Sequence, residues 1–357
     1  MRDHVDESQP VEYFRRLFAR LSGIEEPYRW QQALFEQLLS GECPSEVCLP
    51  TGLGKTSVMY VWLLALAWEA LHRAEGPKLP RRLVWVVDRR VVVDQATEDA
   101  EILTRRIEDT PEVGEALRRL SVVGVEGSAL AVSTLRGERA DNRAWSVDPS
   151  RPAIIVGTVD MVGSRLLFSG YGDSRRRRPL HAGLLGQDTL IVNDEAHLTP
   201  AFAGLLTQLR QVGDGLRPLR VMLLSATPRD NTRRSFFPET LDADLNNHLF
   251  RMRYRAVKRL CLHEHDDTRK GIQSLAIEPD RRTIVFVRSP EDARKLAAAI
   301  ESRHKGRVSR SSPGCSAAGS ATSCSKTLLL SGSSRRIPRF QASSRAGWWQ
   351  PRPAKSA

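Results

Sequence analysis

Apolar and polar residues alternate along this chain in two recognisable patterns. Short, nearly continuous apolar runs occur at residues 83–87, 153–156, 189–192 and 220–224. Such runs are typical of strands that are buried on both faces of a sheet. Stretches with helical periodicity lie between them. Strands that alternate with helices predict an α/β fold with a parallel, doubly wound sheet, whose ligands bind at the carboxyl ends of the strands.

The same patterns divide the rest of the chain. A helical extension is predicted over 1–27, with apolar residues on one face of 11–21, and an α/β domain over 28–245. Within that domain, 111–150 has little periodicity, and we expect one strand near Val122 there. Residues 246–305 are expected to form a linker and the start of a second domain, with strands at 250–262 and 283–287 and a helix from Pro290.

The last part of the chain has a different character. Residues 306–357 are rich in Ser, Arg, Pro and Gly, contain no acidic residue and show neither periodicity, which predicts disorder. One strand and one helix cannot bury a sheet of their own. We therefore expect an interrupted second domain, either a truncation with a foreign tail or a shift of reading frame near Lys305. Trp348 and Trp349 inside this tract favour the frame shift as a hypothesis.

Composition adds limits to the function. The formal charge of +12 comes from the tail, because residues 302–357 hold 11 basic residues and leave 43 basic against 42 acidic in the rest. The overall charge therefore does not indicate nucleic-acid binding by the folded part. Five scattered cysteines suit a reducing cytoplasm. A polar start and an apolar run, 58–68, that is too short to span a membrane predict a cytoplasmic protein without a membrane partner.

A glycine-bearing turn lies between a predicted strand, 46–49, and a predicted helix, 57–71. The turn ends in Gly54-Lys55-Thr56. Backbone N–H groups of such a loop surround a β-phosphate, the lysine reaches the β- and γ-oxygens, and the threonine hydroxyl is placed for Mg²⁺. The full eight-residue pattern has Gly where this chain has Leu49. The alternative is a chance turn with a surface lysine, which the strand–loop–helix context disfavours.

Two further segments complete the predicted nucleotide site. Trp30 and Gln31, shortly before the loop, can contact an adenine or simply form a packed helix start, and the sequence favours neither. Asp194, after the strand 189–192, is expected to hold Mg²⁺ through water, with Glu195 activating the attacking water and His197 coupling this loop to its neighbours. The predicted nucleotide-binding residues are Gln31, Thr51, Gly52, Gly54, Lys55 and Thr56.

Three other polar segments have candidate roles. Ser225 and Thr227 close the strand 220–224 and are expected to couple the γ-phosphate to the rest of the domain. The basic loop 173–178 fits a solvated charge run better than a contact with a nucleic-acid backbone. The stretch 263–267, with two histidines and three acids, fits a polar linker better than a metal site, because it lacks spaced partner ligands.

In this order, Thr-Gly-x-Gly-Lys-Thr, Asp-Glu-Ala-His and Ser-Ala-Thr resemble motifs I, II and III of superfamily 2 helicases of the DEAH type. The resemblance covers about residues 25–305 and implies RecA-like domains, ATP and Mg²⁺ as cofactors, and Lys55, Asp194, Glu195 and His197 as catalytic residues. It also implies that Gln31 reads the adenine. Motifs Ia and Ib are matched by 87–95 and 157–160, which implies nucleic-acid contacts by Arg89, Arg90, Gly157 and Thr158.

The amino-acid sequences of 85–95 and 157–160 are similar to those of the CRISPR-associated helicase–nuclease of type I systems, in the variant whose helicase half precedes its nuclease half. This implies a DNA helicase or translocase of CRISPR interference, with single-stranded DNA and the CRISPR surveillance complex as partners. Motifs V and VI and the HD nuclease have no match here. We therefore expect weak ATP·Mg²⁺ binding, poor hydrolysis and no unwinding. A superfamily 2 ATPase of another pathway and an inactive ATP-binding fragment are the alternatives.

Overall fold

The computed structural model describes residues 10–122, 127–135, 143–212, 217–226, 235–236, 243–257, 260–275, 283–287, 289–303, 308–309 and 327–330. The chain divides into two compact units, Met1–Lys258 and Arg259–Ala357. The sequence placed the first domain's end at 245, before a segment that in the structure still packs on the first unit.

The first unit is built on one sheet, in which every pair of neighbouring strands is parallel. The strand order is β3-β4-β2-β5-β6-β1-β7. Its strands are β1 (Glu46–Cys48), β2 (Arg82–Val87), β3 (Ala131–Leu135), β4 (Ala153–Thr158), β5 (Thr189–Asn193), β6 (Arg220–Ser225) and β7 (Ser235–Phe236).

Helices connect these strands, so the predicted doubly wound α/β fold is confirmed. Those of the first unit are α1 (Pro10–Ser22), α2 (Arg29–Leu39), α3 (Val58–His72), α4 (Arg90–Glu108), α5 (Pro111–Arg118), α6 (Ala144–Val147), α7 (Val159–Leu166), α8 (Arg177–Gly186), α9 (Pro200–Val212) and α10 (His248–Tyr254).

The core lies on both faces of the sheet, as the continuous apolar runs predicted. Along β2, Leu83, Trp85 and Val87 pack into one cluster with α1 to α5. Val84 and Val86 point to the opposite face and pack into a second cluster, which includes residues of α7 and α9. Successive side chains of a strand alternate between faces, so a strand covered on both sides must be apolar throughout.

The register of the sheet brings the sequence motifs to one edge. Thr158 at the end of β4 is paired with Val87 at the end of β2. Asn193, the last residue of β5, is paired with Val86. Ser225 at the end of β6 is paired with Cys48 at the end of β1. The carboxyl ends of these neighbouring strands therefore form one continuous row, which is where such sheets bind ligands.

Two local predictions were wrong. The segment near Val122 is not a strand in its described part; the described region 111–150 instead contains α5, β3 and α6. The segment 250–262 was predicted as a strand, but His248–Tyr254 is a helix, and 255–257 and 260–262 have no regular structure. Asn247 caps this helix by accepting hydrogen bonds from the N–H groups of Leu249 and Phe250.

The second unit contains α11 (Thr268–Leu275), β8 (Thr283–Phe286), α12 (Pro290–Arg303), β9 (Val308–Ser309) and β10 (Thr327–Leu330). The predicted strand and helix after 283 are confirmed. β10 pairs antiparallel with both β8 and β9. Of the tail predicted to be disordered, 306–357, the structure describes only these last two strands, and the rest of that prediction lies outside the described residues.

Candidate nucleotide site

The phosphate loop follows β1 and enters α3 through a short 3-10 turn, Lys55–Ser57. Gly52 and Gly54 have φ angles of 87° and 75°. An L-residue with a side chain rarely adopts this left-handed conformation, whereas glycine does so without strain. A Cβ at Gly54 would meet only the Gln31 amide, at 3.8 Å. The glycines are therefore required by the backbone conformation of the loop rather than by lack of space.

Lys55 is directed at the end of β5. Its Nζ donates a hydrogen bond of 2.7 Å to Oε1 of Glu195, and the lysine side chain is only 9% exposed. A buried ammonium group is costly unless an opposite charge accompanies it. The ion pair therefore holds Lys55 at the mouth of the phosphate loop. It also shows that two predicted catalytic residues, 140 positions apart in the sequence, lie in contact.

Glu195 is held in an unusual conformation. Its φ and ψ angles are 49° and 47°, the left-handed region that disfavours residues with a Cβ. The Asp194 Oδ1 accepts a hydrogen bond of 3.0 Å from the Glu195 N–H, and the Asp194 N–H donates to the Val86 carbonyl at 2.8 Å. This turn places both carboxylates at the carboxyl edge of the sheet. Backbone strain of this kind is often found at functional sites.

The acid–base character of Asp194 differs from that of an ordinary aspartate. Burial raises its pKa to about 6, and repulsion from Glu195 adds to this, while Lys55 and the backbone N–H of Glu195 act in the opposite direction. Among the described residues, Lys55 contacts this pair of adjacent carboxylates through Glu195. A cation at this position would stabilise the ionised form of Asp194. The donor set fits Mg²⁺, which proteins hold through few carboxylates and several waters.

His197 and Ser225 extend the contact chain from the phosphate loop. The His197 Nδ1 lies 3.4 Å from Glu195 Oε2 and 3.4 Å from Ser225 Oγ. The Ser225 carbonyl accepts a 2.9 Å hydrogen bond from the N–H of Leu49, at the start of the loop. The structure thus brings the predicted catalytic and coupling residues together through Ser225. Thr227 lies outside the described residues.

Gln31 lies under the phosphate loop and is 1% exposed. Its Oε1 accepts a hydrogen bond of 2.7 Å from the Tyr28 N–H, and its Nε2 donates to Ser57 Oγ at 2.7 Å. Ser57 Oγ in turn donates to the Gly54 carbonyl at 2.7 Å. Trp30 is fully buried in the core. The tryptophan is therefore a packing residue here, while the glutamine supports the loop from below.

The two threonines of the loop remain accessible to a ligand. Thr51 is exposed and Thr56 is half-buried. Thr56 follows Lys55 directly, at the start of the turn that leads into α3. A hydroxyl in this position is suited to bind Mg²⁺. Their roles in binding nucleotide and metal stay predictions.

The predicted nucleic-acid residues have different surroundings. Arg89 is exposed just before α4, and Arg90 is the first residue of that helix, with a side chain outside the described part of the structure. A Cβ at Gly157 would lie 3.0 Å from Val162 Cγ2 and 3.1 Å from Leu135 Cβ, so this glycine is required for packing. The buried Thr158 Oγ1 accepts a hydrogen bond of 3.4 Å from the Met161 N–H.

One contact with the phosphate loop was missed from the sequence. Arg253, on α10, donates from Nη1 to the Gly52 carbonyl at 3.0 Å. The Asp244 Oδ1, just before that helix, accepts from the Arg29 N–H at 2.8 Å. Phe250 packs against Tyr28, with ring centroids 5.0 Å apart. Asn247, a favourable helix cap, was the one signal in the sequence that pointed to a helix at this position.

This arrangement defines a RecA-like nucleotide-binding domain: a parallel sheet with a phosphate loop after one strand and acidic residues after another. A protein-family model, DEAD/DEAH box helicase, matches residues 28–235, more than half of the chain. The chain belongs to the DEAD/DEAH box helicase family, as the sequence motifs indicated at the level of the superfamily.

Three solved structures illustrate the likeness. The yeast DEAD-box splicing factor Prp28 is 14% identical, with a TM-score of 0.40, 68% of this chain covered and 48% of that one. A nuclease-deletion mutant of the Type ISP restriction-modification enzyme LlaGI, in complex with a DNA substrate mimic, is 14% identical, with a TM-score of 0.36. The match covers 62% of this chain and 21% of that one. The Pyrococcus furiosus Hef helicase domain is 21% identical, with a TM-score of 0.34, and the match covers 65% of this chain and 37% of that one. The chain thus covers half or less of each of these proteins.

No curated protein matches the chain. Within the described ranges, no group of three or more His, Cys, Asp or Glu side chains is arranged to hold a metal ion, and this includes the described segment 263–267. No described helix has both the length and the apolar character that a membrane crossing requires. Neither observation bears on the nucleotide site, where bound phosphates would complete the coordination of Mg²⁺.

Proposed function

We propose that this chain binds ATP with Mg²⁺ at the phosphate loop and forms the ATP-binding part of a DNA helicase or translocase. The observation that carries the proposal is the 2.7 Å contact between Lys55 and Glu195 beside Asp194. This contact supports the proposal because a lysine that can bind phosphate, a carboxylate that can bind Mg²⁺ and a candidate general base lie side by side. These are the groups that hydrolysis of a nucleoside triphosphate needs from the first domain of such a protein.

The chemistry follows from the positions of the side chains. Thr56 and Asp194 would hold Mg²⁺, which would supply positive charge that neutralises the phosphates. Lys55 exchanges its contact with Glu195 for a phosphate oxygen. The released Glu195 carboxylate then orients the attacking water and accepts its proton, as the water oxygen bonds to the γ-phosphorus and the bond from that phosphorus to the leaving ADP oxygen breaks. His197 and Ser225 connect this event to the end of β6.

We propose CRISPR interference as the pathway, with single-stranded DNA and the CRISPR surveillance complex as partners and the cytoplasm as the compartment. The pathway and its partners are supported by the amino-acid sequences of 85–95 and 157–160, which are similar to those of the CRISPR-associated helicase–nuclease. The compartment is supported by the free thiols of Cys43, Cys48 and Cys261. A superfamily 2 ATPase of another pathway is the alternative.

The test is ATP hydrolysis by the full chain, measured with single-stranded DNA, with RNA of the same sequence and without nucleic acid. We expect hydrolysis to depend on Glu195 and to be lost in Glu195→Gln. We also expect a low turnover, because an arginine finger contributes about 10³–10⁵ in rate and motif VI has no match here. Stimulation by DNA but not RNA supports the DNA proposal. Stimulation by RNA alone contradicts it and favours another pathway.

A further inference from the structure

The connection between α7 and α8 presents an unusual surface. Its members are exposed aromatic and arginine side chains, here called the aromatic–arginine loop: Phe168, Tyr171, Arg175, Arg176 and Arg177. Phe168 is 59% exposed and Tyr171 62%. From the sequence alone, the arginines were interpreted as a solvated charge run, and the rings were not considered with them.

The aromatic–arginine loop is built on a buried anchor. Asp173 Oδ2 lies 3.2 Å from Arg165 Nε and 3.0 Å from His181 Nδ1, and the three side chains are 7%, 3% and 2% exposed. The His181 ring packs against Trp145, with centroids 4.9 Å apart. A Cβ at Gly170 would collide with the Asp173 carboxylate. The backbone of the loop is therefore fixed from inside, and the exposed side chains are attached to a rigid support.

Phe168 and the arginines of the loop occupy positions that are locally unfavourable for these residue types. Phe168 has a φ of 59°, which is unfavourable for a bulky residue with a Cβ. Arg176 occupies the N-cap position of α8 without a side-chain cap hydrogen bond, and Arg177 and Arg178 follow in the first turn, where no acidic residue is present. The positive end of a helix repels cations and favours anions. No acidic residue occurs between Asp173 and Asp188, and Asp173 is used by the anchor.

Local conflicts of this kind are expected where a ligand relieves them. A phosphate backbone would supply the missing negative charge beside the arginines and the helix start. The flat faces of Phe168 and Tyr171 can stack on bases, which is how proteins bind unpaired nucleotides with little sequence preference. An acidic protein would satisfy the charge but would not require exposed rings beside it.

We infer that the aromatic–arginine loop binds a single strand of nucleic acid, with the arginines on phosphates and the two rings on bases. The inference rests on the proposed function, since it names one surface by which this helicase-family chain holds its strand. Stacking and phosphate contacts do not read the 2′-hydroxyl, so DNA and RNA strands are both candidates.

The experiment measures the fluorescence anisotropy of labelled oligo(dT) and oligo(rU), and of a DNA duplex, with the full chain. Phe168→Ala/Tyr171→Ala is expected to weaken single-strand binding about 10-fold or more and to leave duplex binding unchanged. Phe168→Tyr/Tyr171→Phe is expected to restore it. Arg175→Gln/Arg176→Gln/Arg177→Gln is expected to lower the slope of log Kd against log salt by about 2, as three lost phosphate contacts require.

Matched controls remove the same groups elsewhere. Arg105→Gln/Arg119→Gln/Arg251→Gln takes the same charge from exposed positions, and Leu249→Ala shortens another exposed apolar side chain. Circular dichroism melting shows whether each variant is folded. If the wild type binds single strands and the loop variants bind them equally well, the inference is overturned and the proposed function stands. Absence of binding by the wild type overturns the inference together with the nucleic-acid part of the proposed function, while ATP binding still tests the nucleotide site.

Discussion

Asp194 is a residue of the candidate nucleotide site whose charged form is disfavoured by the fold. Its pKa is raised to about 6, first by burial and then by the neighbouring Glu195. A carboxyl group with a raised pKa in the folded state takes up protons more readily there than in the unfolded chain. The stabilising contribution of protonated Asp194 is therefore fully present below the pKa of the unfolded chain, and it is lost as the pH rises through the folded-state pKa of about 6.

Replacing Asp194 by Asn should remove this cost. At pH 8, Asp194→Asn is expected to raise the free energy of unfolding by about 1–3 kcal/mol, and this gain should shrink towards pH 4. Urea denaturation at both pH values measures it. The same variant should lose Mg²⁺-dependent nucleotide binding. A variant that is equally destabilised at both pH values would show that the Asp194 carboxylate is structurally satisfied.

Gly157 tests packing at the edge of the sheet. Gly157→Ala places a Cβ within 3.0 Å of Val162 and 3.1 Å of Leu135, so we expect destabilisation by about 1–3 kcal/mol. Gly183→Ala is the matched control, because a Cβ there meets nothing within 4 Å in α8, and it should stabilise by up to about 1 kcal/mol. Chemical denaturation compares the two. Equal effects would contradict the packing role of Gly157.

At the scale of elements, α10 joins the end of the first unit to the phosphate loop. Arg253→Ala removes the hydrogen bond that fixes the Gly52 carbonyl, a contribution of about 1 kcal/mol. We expect the Kd for a fluorescent ATP analogue to rise roughly fivefold as a result. Arg251→Ala, on the same helix, is the control and should bind like the wild type. Equal binding by all three proteins would mean that α10 is irrelevant to the nucleotide.

The strands and the loops after them could be predicted from the sequence because their signals are local. Continuous apolar runs identified β2, β4, β5 and β6, and glycine with lysine predicted a phosphate loop at a turn that the structure places between a strand and a helix. The helix α10 was missed because the Asn247 cap was its only local signal, and its Phe250 packs on Tyr28, which is distant in sequence. Likewise, the Lys55–Glu195 contact follows from the strand order, which periodicity does not give.

At the scale of the whole molecule, the two units differ in their construction. In the first unit, the described motif residues lie at the carboxyl ends of parallel strands, and the family match of 28–235 lies within this unit. The second has a small described core of Val285, Leu296, Ala297 and Ile300. In the described part of the chain, the candidate nucleotide site therefore lies in the first unit, and nucleotide binding is the property of the full chain that tests our account.

The most direct measurement is calorimetric titration of ATP into the full chain, with and without Mg²⁺, for the wild type and Lys55→Ala. Our account predicts Mg²⁺-dependent binding by the wild type and a loss of at least 10-fold in affinity in the variant, since a charge-assisted phosphate contact is worth about 1.5–3 kcal/mol. Lys78→Ala, which changes a lysine outside the loop, should bind like the wild type. Equal affinity of the wild type and Lys55→Ala would contradict the assignment of the phosphate loop.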